Sequence, residues 1–280
     1  MSGLRYGIAL AWLAAGMAAP LAAQDERPLG WADQAELTFV MTGGNASAST
    51  LGLKNTLLYN WPRATFQLAA GGVRTESGII TRTATGTSTD FDVVEDTNNE
   101  LTAENYYLRS RYDHQVGSAA YLFGGAGWNR NTFAGIQNRY NFVSGAGRAW
   151  VDTEDRRFKT DLGLTYTIQD DVVEDPTSQD SFLGLRAEYD ALRRLTETTV
   201  FASTLGVDEN LNETSDLRAD WTNSLTVTMS ANLAIKTSLQ LLFDNEPSLV
   251  EVPLASGTGT VLTPLGKTDS VFTVAVVASF

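Results

Sequence analysis

The 280 residues contain no cysteine, and histidine occurs once, at His114. Without cysteine there is no disulfide, no thiol nucleophile and no zinc–thiolate site. Such a chain, if exported, is held together by packing or by a closed sheet. Proline is scarce, at seven residues, while glycine is plentiful, at 24, and 43% of the chain is hydrophobic. That balance excludes a disordered chain. Past the N-terminal region no stretch reaches the roughly 18 consecutive apolar residues of a spanning helix. Positive charge is outnumbered, 20 Lys and Arg against 33 Asp and Glu, for a net charge of −13. Nucleic acid is therefore a disfavoured partner. No glycine-rich loop follows a strand and opens a helix, so nucleotide binding has no support, and no cofactor is called for.

The N-terminus has the layout of a secretory signal. Arg5 precedes an apolar core from Ile8 to Ala19, and the small residues Ala22 and Ala23 precede Gln24 and the charged Asp25, Glu26 and Arg27. The reading is a signal peptide over 1–23, a short periplasmic segment over 24–32 and one β-domain over 33–280.

From residue 33 onward one unit recurs. About ten alternating residues are followed by a polar turn, roughly every 20 residues. Leu51, Leu53, Leu57 and Tyr59 alternate with Lys54, Thr56 and Asn60. Leu162, Leu164, Tyr166 and Ile168 alternate with Asp161, Thr165 and Gln169. Leu239, Leu241 and Phe243 alternate with Ser238 and Gln240. The chain closes on SVFTVAVVASF, where Phe272, Val274, Val276, Ala278 and Phe280 share a face and Val271 and Val277 are apolar exceptions on the other. About twelve such segments give an all-β fold: a transmembrane antiparallel up-and-down β-barrel. Short turns fall near residues 61–63, 114–118, 151–157, 193–198 and 229–232. Long loops fall at about 77–102, 129–139, 170–181, 208–216 and 244–268, with a modest first loop at Gly43-Gly44-Asn45. Short turns on one side and long loops on the other fit a periplasmic and an outer face.

A soluble sandwich or barrel would point its apolar face inward. Two features favour a membrane. Tyr59, Trp61, Tyr112, Trp128, Tyr140 and Trp221 sit at strand ends, where amphipathic rings mark the membrane–water boundary. Twelve strands also enclose more space than apolar side chains readily fill.

The stretch AELTFVMTGGNASASTLGLKNTLLYN resembles the first hairpin of the salt-induced outer-membrane protein family of Gram-negative bacteria. YLFGGAGWNRNTFAG at 121–135 and the closing VVASF carry the same resemblance. The likeness spans most of the chain in scattered short motifs. It departs in the long, Thr-rich 78–100 region, and at Gly125 and Gly127, where long cationic side chains are expected. The resemblance implies an outer-membrane location, a barrel fold and no established ligand. A terminal aromatic such as Phe280 also looks like the signal read by the barrel assembly machinery, an expected partner beside outer-membrane lipid and lipopolysaccharide.

Two kinds of catalytic barrel come into question. A phospholipase-type site needs an imidazole base, and His114 reads instead as a solvated residue of a short turn. A protease-type site needs paired acids at the outer rim, where acids are too abundant to single out a pair. The expectation is a protein that is not an enzyme, with a membrane-embedded hydrolase as the alternative.

Charge is unevenly placed. The loop acids Asp90, Asp92, Glu95, Asp96, Glu100, Asp170, Asp171, Glu174, Asp175, Asp180, Asp208, Glu209, Glu213 and Asp216 form a solvated surface able to hold divalent cations. Strand parity sends Lys54, Arg109, Arg111, Lys159, Arg186, Arg218 and Lys236 into the lumen with Glu36, Asp113, Asp161, Glu188, Asp190 and Asp220. Either these ions pair and plug a narrow barrel, or they line a small channel that screens solutes by charge. Gly125, Gly127, Gly145 and Gly147 are expected to remove side-chain volume along one wall.

Overall fold

The computed structural model describes residues 29–42, 47–87, 90–175, 179–254 and 259–279. The signal peptide, the Gly43-Gly44-Asn45 turn and Phe280 lie outside the described residues. Twelve antiparallel strands form a closed barrel. They are β1 (Gly30–Thr42), β2 (Ser47–Trp61), β3 (Ala64–Thr87), β4 (Asp90–Gln115), β5 (Ala120–Asn131), β6 (Ile136–Asp152), β7 (Arg156–Asp171), β8 (Ser181–Arg194), β9 (Thr199–Asn210), β10 (Leu217–Ser230), β11 (Leu233–Asp244) and β14 (Thr268–Ser279). Each strand pairs with its sequence neighbour, and β14 closes the ring between β11 and β1. Between β11 and β14 a small hairpin, β12 (Leu249–Pro253) and β13 (Thr260–Pro264), forms a separate two-stranded sheet.

Alternation decides which side chain goes where. Leu53, Leu108, Leu122, Phe142, Leu162, Leu164, Leu183 and Phe272 stand exposed on the outside. Thr56, Asn129, Thr165, Thr167, Thr222, Ser224, Thr226 and Gln240 are buried inside. This inverts the arrangement of a water-soluble barrel, and it leaves a continuous apolar exterior far larger than a soluble monomer carries. Trp31, Tyr59, Trp61 and Tyr112 form a row of ring contacts on the short-turn end of that exterior, with centroids 4.7, 4.4 and 6.2 Å apart. Trp128 and Tyr140 face each other across β5 and β6 near the long-loop end. The two groups lie at opposite ends of the strands, where interfacial girdles are expected.

Two expectations about loops need correction. The 77–102 region is not a loop: β3 and β4 are 24 and 26 residues long and remain paired up to Thr87↔Asp90. Above Gly78, β3 has lost its other neighbour, β2, so the pair continues as a two-stranded ribbon. Ile79, Ile80, Phe91, Val93 and Val94 are scattered among Thr and acidic residues without a regular alternation, so period two could not mark this extension. The 244–268 loop likewise holds the β12–β13 hairpin. The other turns fall near their expected positions, although β5 and β6 shorten the expected 129–139 loop to 132–135 and β4 runs one residue past His114.

Candidate functional site: the charged lumen

Parity brings the expected lumen charges together, and the structure sorts them into two groups. The first lies on the wall formed by β2, β1, β14 and β11. Glu36 of β1 receives a hydrogen bond from Lys54 Nζ on β2 at 3.2 Å, and two from Lys236 Nζ on β11 at 3.1 and 3.3 Å. Lys236 reaches Glu36 past β14, whose inward Ala275 and Val277 are small enough to let it through. All three side chains are at least nine-tenths buried. One carboxylate thus holds two ammonium groups in a dry setting.

The second group lines an open space on the wall formed by β4 to β10. Arg111 donates from Nε to Asp113 and from Nη2 to Asp161, both at 2.7 Å, and its guanidinium lies 4.2 Å from the Phe123 ring. Tyr121 also donates to Asp161, at 2.5 Å, and Lys159 lies over the Tyr121 ring at 5.7 Å. Arg186 contacts Glu188 at 3.0 Å and Asp208 at 2.8 Å. Arg157 meets Asp190 at 2.8 Å. The Arg111 and Arg186 side chains are 27% and 30% exposed, so these two guanidinium groups keep contact with water, whereas Asp161 and Arg157 are nearly buried.

These residues border a cavity of about 1360 Å³. It extends from Asp113, Lys159 and Asp190, near the short-turn end, to Asp244, Ser248 and Lys267 at the long-loop end. Eleven acids and seven cations line it. At the long-loop end Pro247, Ser248, Leu265, Gly266 and Lys267 border the opening. Ser248 Oγ donates to Asp171 at 3.2 Å, and Asn245 Nδ2 donates to the Ser215 carbonyl at 2.8 Å. Gly135 is required beneath Ser248: its φ is +79°, and a Cβ there would come 2.4 Å from the Ser248 Cβ.

Several pairings differ from what sequence spacing suggested. Arg218 binds Asp216 at 2.9 Å and Asp244 at 3.5 Å, not Asp220. Asp220 instead accepts from Gln240 Nε2 at 2.8 Å. Burial pushes the Asp216 carboxyl up, against the pull of Arg218. Arg109 lines the cavity 5.1 Å from the Tyr107 ring. Asp208, read as a loop acid, belongs to β9, and Asp170 and Asp171 belong to β7. Arg139 and Asp244 also line the cavity and were not singled out; their place at the ends of alternating strands was the available signal.

The glycine wall is only half as expected. Gly125 and Gly127 border the cavity. Gly147 does not open space, because the Tyr121 ring, its partner in register, already covers it. A Cβ at Gly147 would lie 2.3 Å from that ring and 2.1 Å from Asp161 Oδ1. Gly145 lies against the backbone of β7, where a Cβ would meet Leu162 O at 2.2 Å. Tyr107 covers Gly71 in the same way, with 2.7 Å between its ring and a Cβ there.

His114 is exposed on the outside of the barrel, stacked 6.4 Å from Tyr112 at the short-turn end. It points away from the cavity. Among the described residues no group of three or more His, Asp or Glu side chains is placed to hold a metal ion.

The chain belongs to the family described as "Protein of unknown function, DUF481", whose pattern it matches over residues 35–253. No curated protein sequence matches it. Among solved structures it is similar to the NanC porin, at 10% identity over 89% of this chain and 98% of that one, with a TM-score of 0.45. It is similar to the translocator domain of the autotransporter NalP from Neisseria meningitidis, at 16% identity over 91% and 90%, with a TM-score of 0.44. It is also similar to an anion-selective porin from Comamonas acidovorans, at 10% identity over 90% and 99%, with a TM-score of 0.39. The closed barrel of this chain rests on its own strand register, not on these likenesses.

Proposed function

For this member of the family, we propose a non-enzymatic channel of the Gram-negative outer membrane, one that passes small hydrophilic solutes through a narrow, partly wet, charged lumen. The observation that carries this is the cavity of about 1360 Å³ bordered by ion pairs that keep contact with water. A dry plug would bury those pairs, as Glu36, Lys54 and Lys236 are buried on the other wall. Because acids outnumber cations along the lining, the channel favours cations.

The apolar exterior and its two aromatic rows support a membrane location. Export by the 1–23 signal, recognition of Phe280 by the assembly machinery, and contact with lipid and lipopolysaccharide complete the proposal. So does divalent-cation binding at the acidic outer loops. Membership of the salt-induced outer-membrane protein family is part of the same reading. A hydrolase of the phospholipase type loses its base, since the one imidazole stacks on the outer surface.

Liposome swelling tests the channel. Vesicles carrying the refolded protein should swell in small sugars and amino acids, with rates falling steeply as solute size grows. Swelling no faster than protein-free vesicles for every solute would leave a structural barrel.

A further inference from the structure

The barrel closes unevenly. β1 pairs with β2 along its whole length, from Gly30↔Asn60 to Thr42↔Ala48, and β14 pairs with β11 from Phe243↔Thr268 to Leu233↔Ala278. Between β1 and β14, pairing among the described residues covers four positions, from Gln34↔Ser279 to Leu37↔Val276. Above that rung, the 38–42 edge of β1 and the 268–275 edge of β14 carry no ladder pairing with each other among the described residues. Backbone groups facing hydrocarbon without partners are strongly disfavoured, so this wedge needs an account.

Two observations supply one. The last paired rungs coincide with the buried Glu36–Lys54–Lys236 cluster, which ties β2, β1 and β11 together where the wedge begins. From Val271 to Val277, β14 is apolar on both faces except at Thr273: Phe272, Val274 and Val276 point outward, and Val271, Ala275 and Val277 inward. The inward face of β7, by contrast, carries Lys159, Asp161, Thr165 and Thr167. The cavity reaches the upper end of β14 at Thr268 and Asp269, beside Leu242. A route bounded by the 271–277 stretch of β14 is therefore apolar but for Thr273, and it ends at the charge of Asp269. It narrows to one strand spacing at Leu37↔Val276, which suits a thin flexible chain better than an added strand.

We propose that the β1–β14 seam is a lateral gate, pinned at Glu36, that admits the hydrocarbon chain of an amphiphile from the bilayer while its polar head rests in the charged lumen. Closure continues the existing register and brings Phe39 opposite Val274. The gate goes beyond the axial channel and is tested separately from it.

The absence of cysteine makes the test clean. In the refolded full barrel, Phe39→Cys/Val274→Cys should cross-link under mild oxidation, as should the already paired Ala35→Cys/Ala278→Cys. Failure of either pair overturns the gate. Bimane is then attached at the lumen-facing Thr273→Cys, with Val271→Cys as a second position on that strand should the first not fold. In bilayers containing 5-doxylstearate, quenching there should be at least about five-fold stronger than at Val143→Cys, which faces the same lumen from the opposite wall and is shielded from lipid. Equal, weak quenching at both walls overturns the gate. Conductance of the same proteins reports on the channel independently: conductance without quenching removes the gate and keeps the channel, and quenching without conductance does the reverse.

Discussion

The wall made by β4 to β10 and the wall made by β2, β1, β14 and β11 share one alternating pattern, yet their inner faces differ in kind. On the first, Arg111 and Arg186 each bridge two carboxylates and stay in touch with water. On the second, one carboxylate is shared by two buried lysines, and the neighbouring strand turns small apolar residues inward. Ion pairs are common to both walls, so the presence of charge does not decide whether a lumen is open. What decides is whether the strands beside each pair bring side chains that fill the space above it. Gly125 and Gly127 leave that space, whereas Val277 and Ala275 pack around Lys236.

The comparison is broken most severely at Glu36. Glu36→Gln strands two ammonium groups in a dry wall, and should destabilise the barrel by about 3–5 kcal/mol. Unfolding in urea, followed by tryptophan fluorescence in detergent, measures this. A cost under about 1 kcal/mol would mean that the packed wall is wet as well.

Next in size is the contrast between outside and inside. Leu164→Arg places a charge on the exposed apolar face of β7, and should cost about 2–4 kcal/mol near the bilayer midplane. Thr204→Arg, which borders the cavity from β9, should cost much less. The same urea titration in lipid vesicles compares them, and equal costs would mean that the faces are wrongly assigned.

Smaller still is a contrast among glycines of the open wall. Gly147→Ala drives a methyl into the Tyr121 ring and Asp161, and should cost about 1–3 kcal/mol. Gly127→Ala meets its nearest atom, Arg109 Cγ, at 3.5 Å, an ordinary contact, and should be close to neutral. Thermal loss of the compact, heat-modifiable band on gels ranks the two.

Much of this was legible in the sequence. Period two assigned nearly every strand face, because lipid on one side and water on the other act on every second residue. Arg111 with Asp113, and Arg186 with Glu188, could be read from same-strand spacing. Pairings across strands could not. Arg218 meets Asp244 because the loop end of β10 lies beside β11, a matter of register, while its other partner, Asp216, stands two residues before it. That Gly147 is covered and Gly127 is not depends on which strand neighbour carries a ring. Tyr121 stands opposite Gly147, whereas Gly127 has Arg109 opposite on β4. The ribbon of β3 and β4 was illegible for another reason: its Thr-rich sequence has strand propensity but no regular alternation of apolar and polar residues to reveal it.

The central claim is that the charged wall lines water and conducts. Single-channel recording of the refolded protein in planar bilayers tests it most directly, with a salt gradient to give selectivity and Arg111→Gln as the variant. The account predicts small, ohmic, cation-favouring openings. It predicts that Arg111→Gln stays folded, loses no more than about 1 kcal/mol of stability because Asp113 is solvated and Asp161 keeps its hydrogen bond from Tyr121, and shifts the reversal potential further toward cations. A wild-type protein that inserts and never conducts, together with an Arg111→Gln variant that unfolds readily, would show the pairs to be a plug and contradict the account.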